Sequence, residues 1–201
     1  MRSLILLASL FFFTTPSLAY FSLMDTGQVK KEGEYRVLGE GQVLFDAPEG
    51  FNLNARFATG IDDESEIQFE GGLGSVDYYI AAFWKWMPFP DTTDQPAIGL
   101  RAGITFADVN DVSRYGFNVT PMISKLFDTD LGDISPYGGV EMGLQNDVNE
   151  TDFTMQAVLG VQWSPNEWDF PGIKDFNFLV EYGLEVDDAF NYLSFGASYD
   201  F

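Results

Sequence analysis

Histidine and cysteine are both absent from this 201-residue chain. Without cysteine there is no disulfide and no thiol to carry an amino-terminal lipid, so the chain is not a lipoprotein. Without histidine, Ser-His and Cys-His nucleophile systems are unavailable, as are ordinary zinc sites. Carboxylate-only or lysine-based catalysis is the remaining formal option. We expect no catalytic residue, no metal and no cofactor. Basic residues are also scarce: ten Lys and Arg stand against 31 Asp and Glu, for a net charge of −21. That field repels nucleic acid, which is excluded as a partner. Beyond the first residues, no apolar run is long enough to cross a bilayer as a helix.

The first 19 residues have the pattern of an export signal. Arg2 supplies a positive n-region, Leu4 to Phe13 an apolar stretch, and Ser17-Leu18-Ala19 the small residues that a signal peptidase reads. The mature chain is expected to begin near Tyr20, with nine basic residues left. Residues 20–33, including Lys30 and Lys31, read as an extended or loosely ordered lead-in.

From Glu34 onward one pattern repeats. About ten residues alternate apolar with small or polar, then Gly, Pro, Asn or Asp interrupts and the alternation restarts. Ten segments are legible: 34–45, 51–61, 65–73, 76–87, 97–107, 114–125, 134–145, 152–163, 175–186 and 190–201. Segment 152–163 places Phe153, Met155, Ala157, Leu159, Val161 and Trp163 on one face, against Thr154, Gln156, Val158, Gly160 and Gln162. Strands that cross a bilayer at a tilt need about 9–11 residues, whereas globular strands run nearer five or six. The length therefore favours a membrane barrel: all-β, antiparallel, up-and-down, of about ten strands, with 8–12 in range.

Alternation alone leaves open which face meets lipid, since a soluble barrel turns its apolar face inward around a ligand. The aromatic residues separate the two. Trp84, Trp86, Trp163 and Trp168 lie at or just beyond the ends of alternate segments, which share one rim in an antiparallel meander. Tyr199 and Phe201 lie on that rim too. Aromatic girdles at the headgroup level have this arrangement.

The last segment ends on Phe201, with Leu193, Phe195, Ala197 and Tyr199 on the same face. In this it resembles the Gram-negative outer-membrane β-barrel proteins as a class, which end in a strand with a terminal Phe. With the signal and the repeated segments, the resemblance covers nearly the whole chain. It picks no subfamily, and small OmpA- and OmpX-like barrels are analogues of architecture only. The resemblance implies an outer-membrane location and recognition of the terminal strand by the barrel-assembly machinery, with outer-membrane lipid around a monomer.

The opposite face is then the lumen. By parity it carries Arg36, Glu40, Arg56, Glu66, Glu70, Asp77, Lys85, Arg101, Arg114, Glu141, Glu181, Glu185 and Asp200. Five of the nine mature basic residues fall on it. Charges in a narrow barrel are costly unless paired, and Arg can bond two carboxylates at once. The same face holds glycines where large side chains would crowd, among them Gly72, Gly103, Gly160 and Gly183. Porins need about 16 strands to enclose water, and eight leave an interior just filled by side chains. Ten strands lie near the filled end, so a packed polar plug of ion pairs is favoured over an open pore. A net acidic lumen that conducts would prefer cations.

The acidic turns Asp62-Asp63-Glu64-Ser65-Glu66 and Asn146-Asp147-Val148-Asn149-Glu150 lack the EF-hand order and read as solvated loops. Pro121 falls inside a segment and marks a bulge or an early strand end. The rim that holds Phe201 also has the longer connections, whereas outer-membrane barrels usually have short periplasmic turns. The functional expectation is a non-enzymatic outer-membrane barrel, structural or small-pore, with a charged and largely plugged lumen. The alternatives are a soluble periplasmic or secreted barrel binding an apolar ligand, and an outer-membrane enzyme, which the lack of histidine disfavours.

Overall fold

The computed structural model describes residues 22–46, 49–75, 77–109, 112–146, 151–165 and 175–201; the expected signal, Tyr20 and Trp168 lie outside them. Every alternating segment forms a strand. In chain order these are β1 (Tyr35–Leu44), β2 (Gly50–Gly60), β3 (Ser65–Gly74), β4 (Tyr78–Phe89), β5 (Ala97–Val109), β6 (Val112–Ser124), β7 (Phe127–Thr129), β8 (Gly132–Asn146), β9 (Thr151–Ser164), β10 (Phe176–Asp187) and β11 (Tyr192–Asp200). The short β7 was not legible as a strand; it folds back on the start of β8, pairing Phe127 with Ile134. The ten long strands pair antiparallel in sequence order. Pairing of β1 with β11 and of β6 with β8 closes the sheet into a barrel with no free long edge.

Pro121 marks neither a bulge nor a strand end. It is exposed on the outer face of β6, and the register is the same on either side of it, with Val119 opposite Met142 and Met122 opposite Gly139. Only the two pairs at Thr120 and Pro121 drop out of the β6–β8 ladder, beside a residue that has no N–H to donate.

The barrel is inside-out relative to a soluble protein. Along β1, Arg36, Leu38, Glu40, Gln42 and Leu44 are buried while Val37 and Val43 are exposed. Phe69, Ile104, Leu159 and Phe195 project outward with more than half of their surface exposed, at 52%, 64%, 71% and 52%.

Inward aromatic rings are accommodated by glycine. Tyr79 lies opposite Gly72, Phe83 opposite Gly103, Tyr137 opposite Gly160 and Tyr192 opposite Gly183. In each pair a Cβ on the glycine would run into the ring. The missing side chain lets the ring lie flat against the wall, which is how large residues fit into a narrow barrel. Gly183→Ala is expected to displace Tyr192 and cost about 1–3 kcal/mol, as overpacking does. Urea unfolding of the purified protein checks this, and an unchanged midpoint would refute it.

Two apolar clusters occupy the interior. Leu44, Tyr79, Ala81, Phe83, Ala107, Phe190 and Tyr192 pack together, towards the rim formed by the β1–β2 and β10–β11 turns. Leu38, Met87, Ala97, Met122, Tyr137, Val158 and Leu179 form the second, together with Leu23 and Met24 from the lead-in.

Candidate functional site: a charged lumen and the segment inside it

The lead-in is extended, but it is not loosely placed. Ser22, Leu23, Met24, Asp25 and Thr26 are buried, at 0–2% exposure. The backbone enters at the rim of Phe201, where Glu32 bridges Gly60, and Gly33 (φ +85°) turns it into β1. From there, traced backward, residues 31 to 22 run up the middle of the barrel. Gly27 is required for passage: a Cβ there would meet the Ala97 Cβ and, at 2.6 Å, the Ser124 Oγ to which its own amide donates.

Each layer of inward charge holds part of this segment. Nearest the rim, Lys30 Nζ pairs with Asp200 at 2.8 Å and the Lys30 amide donates to Glu66 at 2.9 Å. Asp200 also takes Arg36 Nε at 2.8 Å. One layer deeper, Asp25 is gripped by Lys85 Nζ at 3.0 and 2.9 Å and by Gln68 Nε2 at 2.5 Å, with Arg36 Nη1 at 3.5 Å. Lys85 further donates to the Gln28 carbonyl at 2.8 Å and pairs with Glu66 at 3.3 Å. It is fully buried, so each of these contacts forms out of water, where charge-assisted bonds are strongest.

Deepest lies a cluster on Arg56 and Arg101. Both reach Glu70 Oε1, Arg56 at 2.6 Å and Arg101 at 3.1 Å. Both also donate to backbone carbonyls of the segment: Arg56 to Ser22, Leu23 and Met24, and Arg101 to Ser22 and Leu23. Arg101 sits 4.0 Å over the Phe83 ring and 3.7 Å from Glu141.

Glu181 has no cation partner among the described residues. Its carboxylate instead accepts the Leu23 amide at 2.8 Å, the Met24 amide, Tyr137 Oη at 2.9 Å and Tyr192 Oη at 2.6 Å. Two successive amides on one carboxylate hold Met24 at φ +39°, a conformation L residues seldom adopt.

The expected lumen charges are therefore placed as follows. Arg36, Glu40, Arg56, Glu66, Glu70, Lys85, Arg101, Glu141 and Glu181 are buried within the barrel. Asp200 is half-buried beside Arg36 and Lys30. Three are not buried. Asp77 is exposed in the turn before β4 begins. Glu185 lies opposite the buried Gln156 but is exposed, at the rim where the β9–β10 register shifts between Glu185 and Asp187. Arg114 lies opposite the buried Ala107 and is half-buried, two residues into β6 at its rim.

The expected interface aromatics lie on the outer face toward one rim. Trp84 and Trp86 stack with centroids 6.0 Å apart. Trp163 packs on Phe178 at 5.9 Å and donates to the Leu131 carbonyl. Phe201 contacts Tyr199 and Tyr35 at 6.0 and 5.7 Å, and Tyr199 contacts Phe176 at 5.3 Å.

The acidic turn at 62–66 does not converge on a cation. Asp62 accepts the Glu64 amide at 2.9 Å, a bond that holds its carboxyl below the usual range, while Glu66 points inward to Lys85. No cluster of potential metal ligands occurs among the described residues. Residues 147–150 of the other acidic turn lie outside the described residues.

No protein-family profile and no curated protein sequence matches this chain. Among solved structures it is similar to the N-terminal β-barrel domain of Pseudomonas aeruginosa OprF, at 11% identity over 86% of this chain and 100% of that one, with a TM-score of 0.38. It is also similar to the translocator domain of the autotransporter NalP from Neisseria meningitidis, at 9% identity over 84% of this chain and 86% of that one, with a TM-score of 0.33.

Proposed function

We propose that the chain is a non-enzymatic outer-membrane barrel, closed by its own amino-terminal segment and by the ring of aromatic residues above it. The observation that carries this reading is the reversal of polarity: ion pairs inside, and a continuous apolar face with one aromatic belt outside. Only a surrounding apolar phase makes that arrangement favourable. The alternative of a soluble barrel for an apolar ligand needs an apolar interior cavity. The interior apolar side chains here pack on one another and on residues 23 and 24. A hollow of about 630 Å³ lies on the outer face, between Phe69, Ile80, Ile104, Phe106 and Tyr115.

Outer-membrane fractionation with heat-modifiable gel migration tests the location and the barrel together, since a folded barrel resists detergent until heated. Recovery in an osmotic-shock supernatant would overturn it. Closure is read separately. Purified wild-type protein in planar bilayers is expected to give no conductance steps. Deleting residues 22–31 together with Tyr79→Ser and Phe83→Ser is expected to give cation-preferring steps, because inward carboxylates still outnumber inward cations. Steps from the wild type, or anion-preferring steps from the variant, would refute this.

A further inference from the structure

The outer face between β3 and β6 is not flat. Ala82 lies between Phe69 and Ile104 across the two ladders of β4. Its short side chain leaves a floor, and Phe69, Ile80, Ile104, Phe106 and Tyr115 stand around it. Phe69, Ile80, Ile104 and Tyr115 each expose more than half of their surface. The hollow, of about 630 Å³, has the size of a small-molecule site, about 300–1,000 Å³.

Its upper wall of Ile80, Phe106 and Tyr115 lies a few residues from the strand ends at the rim away from Phe201. One step nearer that rim, Tyr78 lies opposite Asp108, and Asp108 opposite Ser113. Exposed tyrosines at such a height mark the headgroup level of a bilayer. Asp108 is two residues along β5 from Phe106, so both stand on the outer face. Its carboxylate accepts Ser113 Oγ at 2.9 Å, and no cation pairs with it among the described residues. Arg114, on the next strand, lies opposite the buried Ala107 and so turns to the lumen.

Bulk lipid covers any apolar wall without preference. A carboxylate at the mouth of a hollow does discriminate, because it attracts a cationic headgroup and repels an anionic one. We propose that this hollow holds one acyl chain of a phospholipid whose headgroup carries a primary ammonium, and that Asp108 binds that ammonium. This rests on the reading that the outer face lies in the membrane. An ethanolamine headgroup has three N–H donors for the carboxylate. A glycerol headgroup leaves the phosphate charge unbalanced beside Asp108.

The test is native mass spectrometry of the full chain, purified in mild detergent and mixed with equal amounts of palmitoyl-oleoyl phosphatidylethanolamine and palmitoyl-oleoyl phosphatidylglycerol. One-to-one adducts are expected to favour the ethanolamine lipid by at least about threefold, as an exposed ion pair brings. Asp108→Asn is expected to remove the preference while the heat-dependent gel shift persists. Ala82→Phe fills the floor and is expected to lower the ethanolamine adduct several-fold. Ala157→Phe, in a second outer hollow beside Gly138 and Leu159, is the control and should leave that adduct unchanged.

Equal adducts of the two lipids in the wild type, with the gel shift intact, overturn this inference alone. So do an unchanged preference in Asp108→Asn, a loss in Ala157→Phe equal to that in Ala82→Phe, or lipid-free dimers, which would assign the hollow to a second copy of the chain. If Ala82→Phe itself loses the gel shift, Asp108→Asn decides. Loss of the gel shift in the wild type overturns the barrel reading and this inference with it.

Discussion

Glu181→Leu is expected to release the amino-terminal segment and expose it to protease. The wild-type carboxylate accepts four buried donors: two amides of the segment, and the hydroxyls of Tyr137 and Tyr192. Leucine fills similar space and accepts none of them. Hydrogen bonds to a charged group contribute about 1.5–3 kcal/mol each, and a buried donor left unpaired costs about 1–3 kcal/mol. Even at the low end of these ranges, four such losses exceed what a ten-residue segment can absorb while staying docked. Water can reach the two amides only if the segment leaves. Trypsin then has access to Lys30 and Lys31, which a docked segment denies it because a protease must draw several residues into its cleft. The expected result is rapid clipping after Lys30 or Lys31 in Glu181→Leu and resistance in the wild type, with the gel shift of the barrel retained. Equal resistance in the two proteins would show that Glu181 does not anchor the segment.

Arg101→Met is expected to destabilise the barrel itself, by about 3–5 kcal/mol, the usual cost of removing one member of a buried ion pair. Arg101 is fully buried between Glu70, Glu141, the carbonyls of residues 22 and 23, and the Phe83 ring. Its two carboxylates do not suffer equally. Glu70 keeps Arg56 at 2.6 Å, whereas Glu141 loses its one cation among the described residues and is left there with long hydrogen bonds from Asn118 and Thr120, both at 3.4 Å. Adding Glu141→Gln to Arg101→Met should therefore recover stability, by at least about 1 kcal/mol, whereas Glu70→Gln should recover less. Urea unfolding of the three variants, followed by loss of the gel shift, measures the couplings. Recovery from Glu70→Gln that matches or exceeds that from Glu141→Gln would contradict this assignment of partners.

The barrel was legible in the sequence because its signal is redundant. Each stave repeats a period of two over ten or more residues, so a misplaced boundary does not change the face of Glu40, Lys85 or Glu181. Burial fell short at Asp77, Glu185 and Arg114, all within a few residues of a rim, where an inward-facing side chain meets the mouth of the barrel or the strand has not begun. The three-residue β7 is too short to display a period at all.

The inner segment was missed for a different reason. Residues 22–31 adopt no repeating structure, and most of their bonds are made by backbone groups: the amides of Leu23, Met24, Gly27 and Lys30, and the carbonyls of residues 22–24 and 28. Every residue carries those groups, so the letters of the sequence do not announce their use. One hint was present: Asp25 and Lys30 carry charge into a stretch without strand pattern. Arg56 and Arg101 bond its carbonyls, a use of arginine that the residue type alone does not reveal.

Closure of β1 against β11 has a kinetic consequence. Apart from it, every pairing joins strands that are adjacent in the chain or separated only by the short β7, so nearly the whole wall forms from local hairpins. The last rung, Arg36 with Asp200, and the Leu23–Glu181 bond, 158 residues apart, are the long loops of the folding problem. Contacts of that separation form late and slowly. Because β10 and β11 carry Glu181, Tyr192 and Asp200, residues 22–31 have no complete binding place until the last strands form. Sealing the wall and filling the bore become one event, and a chain halted before β10 should accumulate as an open sheet with an unpaired first strand.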